Sequence, residues 1–318
     1  MQIPKTNINV SLSSLFYLVP LYFLVINPLL RQFLPSDSDA AIYSSWKHDD
    51  FYGDEIDDED TSLNLNPDVL SLDDGVPFSC DYGDRNSGED NYKVHILNQA
   101  PLVIYIEDFL SAYEADHLVN ISKPNYTPST LYSSSSDSTL NRTDSTKRLS
   151  DRALLPRNSI VRCIESRAKS FQGWKPHLYI ERMWAQRYNA SGHYIHHYDW
   201  AGTARGRGGD RLTTFMVYLG DECKGGGTNF PRLRVPKDPK WCRFLECDEE
   251  TGREEGKKDG RQGITFKPIK GNAVFWENVG PDGRGWPETW HAAFPVEEGE
   301  KIGLNIWSWY QPPKGRWR

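Results

Sequence analysis

Two histidines and one aspartate, in two separate stretches, are the residues best suited to metal chemistry. One residue separates His197 from Asp199 in a β-rich run. Side chains alternate along a strand, so both would point to one face. His291, far along the chain, could supply a third ligand. Two imidazoles and a carboxylate are the facial set that suits Fe(II) and leaves other positions open.

A His-X-Asp triplet is weak evidence by itself, because this chain contains eight histidines. The surrounding blocks are more specific; they are Tyr188–Asp199, Arg211–Leu219, Gly225–Pro231 and His291–Lys301, followed by Trp307. In order and spacing they resemble the prolyl 4-hydroxylase type of 2-oxoglutarate oxygenase, over roughly residues 98–311. The register of the first block selects His197 rather than its neighbour His196.

The resemblance implies a dioxygenase that uses Fe(II) and 2-oxoglutarate. His197, Asp199 and His291 would bind the iron. Lys301 would pair with the far carboxylate of 2-oxoglutarate, because a buried carboxylate requires a cation and hydrogen bonds. These four residues form the predicted catalytic set. O2 would be the other co-substrate and ascorbate the reductant. The alternative for Lys301 is a solvated lysine at a strand end.

Five further residues take predicted roles from the same resemblance. Thr228 and Tyr188 would donate hydroxyl hydrogen bonds to 2-oxoglutarate, and Trp307 would wall the cofactor site. Arg211 and Tyr194 would face the groove where substrate approaches. The alternative for all five is an ordinary structural role in a turn or in the core.

The predicted reaction is hydroxylation of a peptidyl residue, foremost proline to 4-hydroxyproline, with succinate and CO2 as co-products. Three departures from the family pattern bear on substrate choice: Gly192 sits one place late, Ala293-Phe294 replaces a common Gly-Cys, and a longer insert follows Pro231. The alternatives are an oxygenase of the same fold acting on another side chain or a small molecule, and an inert membrane-tethered binding module.

The pattern beyond His177 predicts a mainly β fold with supporting helices and a jelly-roll (double-stranded β-helix) core. Short apolar runs separated by Gly and Pro are typical of such sheets. The core should cover about residues 177–311 of an oxygenase domain at 98–312, with the insert 232–262 as a surface excursion. A capping box at Ser111 and Glu114 predicts one helix, and Asn158 should cap a second that ends at Gly173. The Ser-rich stretch 128–150 is predicted to be a mobile loop, and a substrate lid is one interpretation.

The N-terminal segment Leu12–Leu30 carries no charge and has nearly the length that spans a hydrocarbon core. It predicts a membrane anchor at residues 1–35. The alternative is a cleaved signal peptide. Residues 36–97 are predicted to be a largely disordered stalk, because eight of the twelve residues at 49–60 are acidic. The alternative is an acidic face that binds a basic partner or Ca2+.

Charge and cysteines indicate partners and compartment. A formal net charge of −7 argues against nucleic acid as partner. Five cysteines allow two disulfides in an oxidising compartment, and Cys242 with Cys247 is the favoured pair. Glycosylation sequons begin at Asn120, Asn125, Asn141 and Asn189. We therefore expect a single-pass endoplasmic-reticulum membrane protein with a luminal, glycosylated catalytic domain and a peptide substrate that contains proline.

Overall fold

The computed structural model describes residues 65–80, 92–130, 143–203, 209–247 and 262–311. The predicted anchor, the acidic tract and the sequon at Asn141 lie outside these residues. Within the described ranges, no helix combines the length and apolar character needed to cross a membrane.

Antiparallel strands make up most of the described chain. In chain order they are β1 (Lys93–Gln99), β2 (Leu102–Glu107), β3 (Thr127–Pro128), β4 (Arg148–Leu149), β5 (Asp151–Leu154), β6 (Leu178–Ile180), β7 (Trp184–Tyr188), β8 (His193–His197), β9 (Asp210–Gly220), β10 (Cys223–Gly225), β11 (Thr228–Phe230), β12 (Ile264–Phe266), β13 (Ala273–Glu277), β14 (His291–Ala293), β15 (Val296–Gly299) and β16 (Lys301–Tyr310). The larger sheet runs β1-β2-β13-β9-β16-β7-β5-β3, with β6 beside β16. The smaller sheet runs β12-β11-β14-β8-β4, while β10 pairs with β15.

The two sheets face each other across an apolar layer. The central strands of the larger sheet, β9 and β13, are buried on both faces. In β9, Met216 and Tyr218 join the layer between the sheets, whereas Phe215 and Val217 point to the opposite side. The smaller sheet contributes Phe230, whose ring lies 5.2 Å from Trp276 of β13. This alternation confirms the predicted mainly β, jelly-roll architecture.

Two helices cover the outer face of the larger sheet. Helix α1 (Ala112–Ser122) begins with the predicted capping box between Ser111 and Glu114. Helix α2 (Ser159–Phe171) is capped by Asn158, and Gly173 follows it with φ 71°. Both helices were expected from these cap residues. Their apolar sides, Leu118 and Ile164 among them, pack against Phe215 and Val217 on the outer face of β9 and form a second buried apolar cluster.

The N-terminal boundary of the domain was predicted too late in the chain. Strand β1 begins at Lys93, before the predicted boundary at residue 98, and pairs with β2. Residues 65–80 also contact the domain, with Leu70 only 5 % exposed and bridged to Glu181. These segments were assigned to the stalk because they follow the acidic tract at 49–60. Their partners in β2 and β6 lie elsewhere in the chain.

The prediction that the insert 232–262 is a surface excursion was wrong for its first half, residues 232–247. Leu233, Phe244 and Leu245 are buried in the layer between the sheets, and Leu245 bridges Phe266. A disulfide joins Cys242 and Cys247, as predicted. Residues 248–261 lie outside the described part.

The Ser-rich stretch is partly a strand. Its end, β4, pairs with β8 in the smaller sheet. Ser150 Oγ donates to Ser129 Oγ at 2.9 Å and closes the base of the segment. Residues 131–142 lie outside the described chain, so the lid interpretation stays a prediction.

Candidate active site

His197, Asp199 and His291 meet where β8 and β14 pair. His197 and His291 are direct partners in that ladder, and Asp199 follows the end of β8 by two residues. The nearest ligand atoms are His197 Nε2 to Asp199 Oδ1 at 3.6 Å and His291 Nε2 to Asp199 Oδ2 at 3.9 Å. All three ligand atoms lie within 4.8 Å of one another. The structure thus brings together the three predicted iron ligands.

Backbone carbonyls orient both imidazoles. His197 Nδ1 donates to the Ile195 carbonyl and His291 Nδ1 to the Thr289 carbonyl, each at 2.9 Å. A carbonyl only accepts, so the proton of each neutral ring lies on Nδ1 and the Nε2 lone pair is directed to the centre. His196 lies on the other face, with Nε2 3.0 Å from Asn229 Oδ1.

The electrostatics favour metal-binding protonation states. Burial lowers the pKa of His291 to about 4, with a smaller contribution from the nearby His197. Burial pushes the pKa of the Asp199 carboxyl upward, but the two histidines and Arg211 outweigh it and hold this pKa well below its ordinary value. At neutral pH the centre therefore offers a neutral imidazole and a carboxylate. Two imidazoles and a carboxylate fit Fe(II), and these three residues could hold it.

Asp199 is held by neighbours that leave one oxygen for the metal. Thr214 Oγ1 donates to Asp199 Oδ2 at 2.9 Å, and Trp307 Nε1 donates to the same oxygen at 3.0 Å. Asn278 in turn donates to Thr214 Oγ1 at 2.8 Å. Such outer contacts fix a ligand's orientation. Trp307 therefore touches a predicted metal ligand, and its contact with co-substrate stays a prediction.

Lys301 stands apart from the trio, at the start of β16, with 0 % of its surface exposed. Its Nζ donates to the Gly226 carbonyl at 2.6 Å and lies 3.5 Å from Thr228 Oγ1. Burial lowers the pKa of Lys301 to about 8, although Cys223 and the Glu246 carboxylate act in the opposite direction at longer range. A buried cation whose hydrogen bonds go to a carbonyl and a hydroxyl oxygen is suited to receive a carboxylate.

Two tyrosines and a threonine complete the Lys301 pocket. Tyr218 Oη donates to Thr228 Oγ1 at 3.0 Å, which leaves the Thr228 proton for another acceptor. Tyr188 Oη donates to Gln186 Oε1 at 2.8 Å, and its donation to 2-oxoglutarate stays a prediction. The Lys301 Nζ lies 5.5 Å from the centre of the Tyr188 ring.

The two predicted substrate residues differ in their surroundings. The ring of Tyr194 stacks on His197 at 3.7 Å and beneath Arg148 at 4.6 Å, beside the metal trio. The guanidinium of Arg211 is engaged by both oxygens of Glu181, at 2.7 and 2.8 Å. Arg211 also lies 3.8 Å from the Trp307 ring centre, so it stabilises the site's wall.

Sequence reasoning did not identify Thr214, Tyr218 or Glu181. The sequence marks each of them only weakly, as a polar or charged residue at an inward position in or beside an apolar strand. That signal does not name a partner, because each partner lies on a strand distant in the chain.

Comparisons with known proteins agree with this geometry. Residues 183–309 match the model of the 2OG-Fe(II) oxygenase superfamily. The chain is 27% identical over 231 residues to prolyl 4-hydroxylase 5 of Arabidopsis thaliana, covering 71% of this chain and 74% of that protein. It is 28% identical over 233 residues to the probable prolyl 4-hydroxylase 10 of the same organism, covering 70% and 75%.

Among solved structures, the chain is similar to the viral collagen prolyl hydroxylase of Paramecium Bursaria Chlorella virus-1 in its 2OG complex. The identity is 25%, the TM-score 0.46, and the match covers 65% of this chain and 96% of that one. The family match, the sheets and the trio together define the class: residues 183–309 are a 2OG-Fe(II) oxygenase domain. The protein is a 2-oxoglutarate-dependent dioxygenase with relatives among the prolyl 4-hydroxylases.

Proposed function

We propose that this protein hydroxylates a prolyl residue of a peptide to 4-hydroxyproline, with His197, Asp199 and His291 as the iron ligands. The observation that carries the proposal is the trio itself, with Nε2 and carboxylate atoms within 4.8 Å and a fully buried Lys301 in the same domain. Fe(II), 2-oxoglutarate and O2 supply the oxidation that turns C–H into C–OH and releases succinate and CO2.

The protein's own residues bind the co-substrate and orient the metal ligands. Lys301 and Thr228 receive the far carboxylate of 2-oxoglutarate with a charge and a hydroxyl donor. Thr214 and Trp307 hold one oxygen of Asp199 so that its other oxygen faces the metal. Tyr194 and Arg148 flank the centre where a peptide would approach. Ascorbate as reductant belongs to the same proposal by family resemblance.

The preference for proline is supported by the prolyl 4-hydroxylase relatives and by the sequence blocks that resemble that family. The experiment therefore tests the choice of proline separately from the oxygenase chemistry. The purified protein receives Fe(II) and 2-oxoglutarate without O2, then O2 with proline-containing peptides or with matched peptides lacking proline. Mass spectrometry and succinate release are measured. A gain of one oxygen on proline supports the full proposal. Succinate without prolyl oxidation rejects proline as the substrate. No peptide- or metal-dependent succinate at all rejects the function.

We further propose that the chain is anchored in the endoplasmic-reticulum membrane by its N-terminal apolar segment, with the catalytic domain in the lumen. Exposed sequon residues Asn120 and Asn125 support this, as do two disulfides, Cys80–Cys163 and Cys242–Cys247. Asn189, the fourth sequon residue, is also exposed, because the chain turns away from β7 there. Glycosidase treatment of the membrane-expressed chain should raise its mobility; unchanged mobility rejects the luminal topology.

A further inference from the structure

Residues 65–80 form a segment, here called the strap, that pairs with the chain beside the active site. Ser71 N donates to the Ile180 carbonyl at 2.8 Å, and Arg182 N donates to the Val69 carbonyl at 2.7 Å. Leu70 bridges Glu181 between them. The strap thus acts as a short extra strand along Ile180–Arg182.

The far part of the strap is tied to helix α2. Its Asp74 binds Arg157 at 3.1 Å and Arg162 at 2.8 Å. The hydrogen bond from Arg162 holds the pKa of the Asp74 carboxyl below its ordinary value, so the ion pair persists at neutral pH. A disulfide between Cys80 and Cys163 adds a covalent attachment. A segment held this way cannot leave the domain without losing several contacts together.

Glu181 connects the strap to the metal centre. Its backbone N donates to the Trp307 carbonyl at 2.8 Å, and its 6 % exposed side chain grips Arg211 with both oxygens. The Arg211 guanidinium lies 3.8 Å from the centre of the Trp307 ring, and Trp307 Nε1 donates to Asp199. An unbroken series of contacts therefore runs from the strap to a predicted iron ligand.

We propose that the strap is a positioning element for the metal centre, which fixes Glu181 and, through Arg211 and Trp307, the Asp199 carboxylate. The inference rests on the proposed role of Asp199 as a metal ligand. Glu181 already has its hydrogen bonds to β16, but the strap restrains its other edge. Without the strap, Ile180–Arg182 would be an edge strand exposed to water, with greater freedom for the Glu181–Arg211 pair.

Ser71 offers a matched pair of variants. Its hydroxyl is buried without a hydrogen-bond partner in the described structure, so Ser71→Ala removes no hydrogen bond. Ser71→Pro removes the N–H that bonds Ile180. The probe is Mn(II), a stable divalent stand-in, and its dissociation constant for the full chain is measured without O2. Loss of an outer partner of a ligand typically costs about 10–100-fold in metal affinity, so this more distant change should raise the dissociation constant about threefold to tenfold.

A double-variant comparison separates positioning from general destabilisation. In a Glu181→Gln background, Ser71→Pro should change Mn(II) binding by less than about twofold, because the route to Asp199 is already broken. The double variant Cys80→Ser/Cys163→Ser releases the far end of the strap from α2 without introducing a proline. It should also weaken Mn(II) binding. If Ser71→Pro does not fold, this double variant tests the strap inference instead.

Three different outcomes would overturn the strap inference, the route from Glu181 to Asp199, or the metal site itself. Equal Mn(II) affinity in wild type, Ser71→Pro and the double serine variant overturns the strap inference and leaves the proposed function standing. An equal loss from Ser71→Pro with and without Glu181→Gln overturns the positioning route. A wild type whose Mn(II) binding is unaffected by His291→Ala overturns the proposed metal site and the strap inference with it.

Discussion

The indole Nε1 of Trp307 donates a 3.0 Å hydrogen bond to Asp199 Oδ2 and so ties β16 to the carboxylate between the two histidines. Thr214 of β9 donates to the same oxygen. Because one oxygen is held twice, the other is directed to the metal. A tryptophan that was expected to wall the cofactor therefore also orients a ligand.

Trp307→Phe should weaken metal binding while the domain stays folded. Phenylalanine keeps an aromatic face beneath Arg211 but removes the N–H donor, and we expect the Mn(II) dissociation constant to rise about tenfold. Trp309→Phe is the matched control on the same strand, because Trp309 Nε1 donates to Gln311 instead. Equal Mn(II) affinity in the two variants would show that the Asp199 contact is dispensable.

His197→Ala and His291→Ala should each abolish peptide-dependent succinate release without unfolding the domain. Each removes one of three protein ligands from an open site. His196→Ala should be mild, because this ring contacts Asn229 on the opposite face. Thermal unfolding and succinate release are measured for all three variants. Near-normal turnover by either of the first two would reject the ligand assignment.

Lys301→Ala should raise the 2-oxoglutarate concentration for half-maximal succinate release at least tenfold. A charged hydrogen bond in a buried site contributes about 1.5–3 kcal/mol, and the co-substrate carboxylate would lose it. The control is Lys224→Ala, an exposed lysine that pairs with Glu297 and Glu298. Lys301→Arg should also bind poorly, since the pocket is closed by Gly226 and the arginine fork is wider. An unchanged requirement in Lys301→Ala would remove the anchor from the co-substrate assignment.

The pH dependence of 2-oxoglutarate binding should follow Lys301. Burial places its pKa at about 8 in the free protein, so the ammonium is largely present at pH 7 and largely lost at pH 9. Binding a carboxylate favours the charged form, and affinity should therefore fall as pH rises, by about tenfold at pH 9. The check is a titration with 2-oxoglutarate and Mn(II) from pH 6.5 to 9. In Lys301→Ala this alkaline loss should disappear; if it persists, another group causes it.

Local patterns in the sequence predicted what depends on backbone periodicity and on short-range contacts. The short apolar runs beyond His177, the caps of α1 and α2 and the Cys242–Cys247 disulfide all involve residues near one another in the chain. The spacing of His197 and Asp199 belongs here too, because a period of two places both on one face in any extended segment. The roles of Lys301 and His291 came from a family register and not from periodicity.

The tertiary structure alone decided which distant residues surround the site. Glu181 meets Arg211 because β6 and β9 both pair with β16. The strap reaches Glu181, and the insert's Leu245 enters the core, through partners far away in the chain. A sequence records that such residues are polar or apolar, but their partners follow from strand register and sheet packing. Trp307 could therefore be predicted as a residue of the site, whereas its hydrogen bond to Asp199 depends on how β16 and the chain after β8 meet in space.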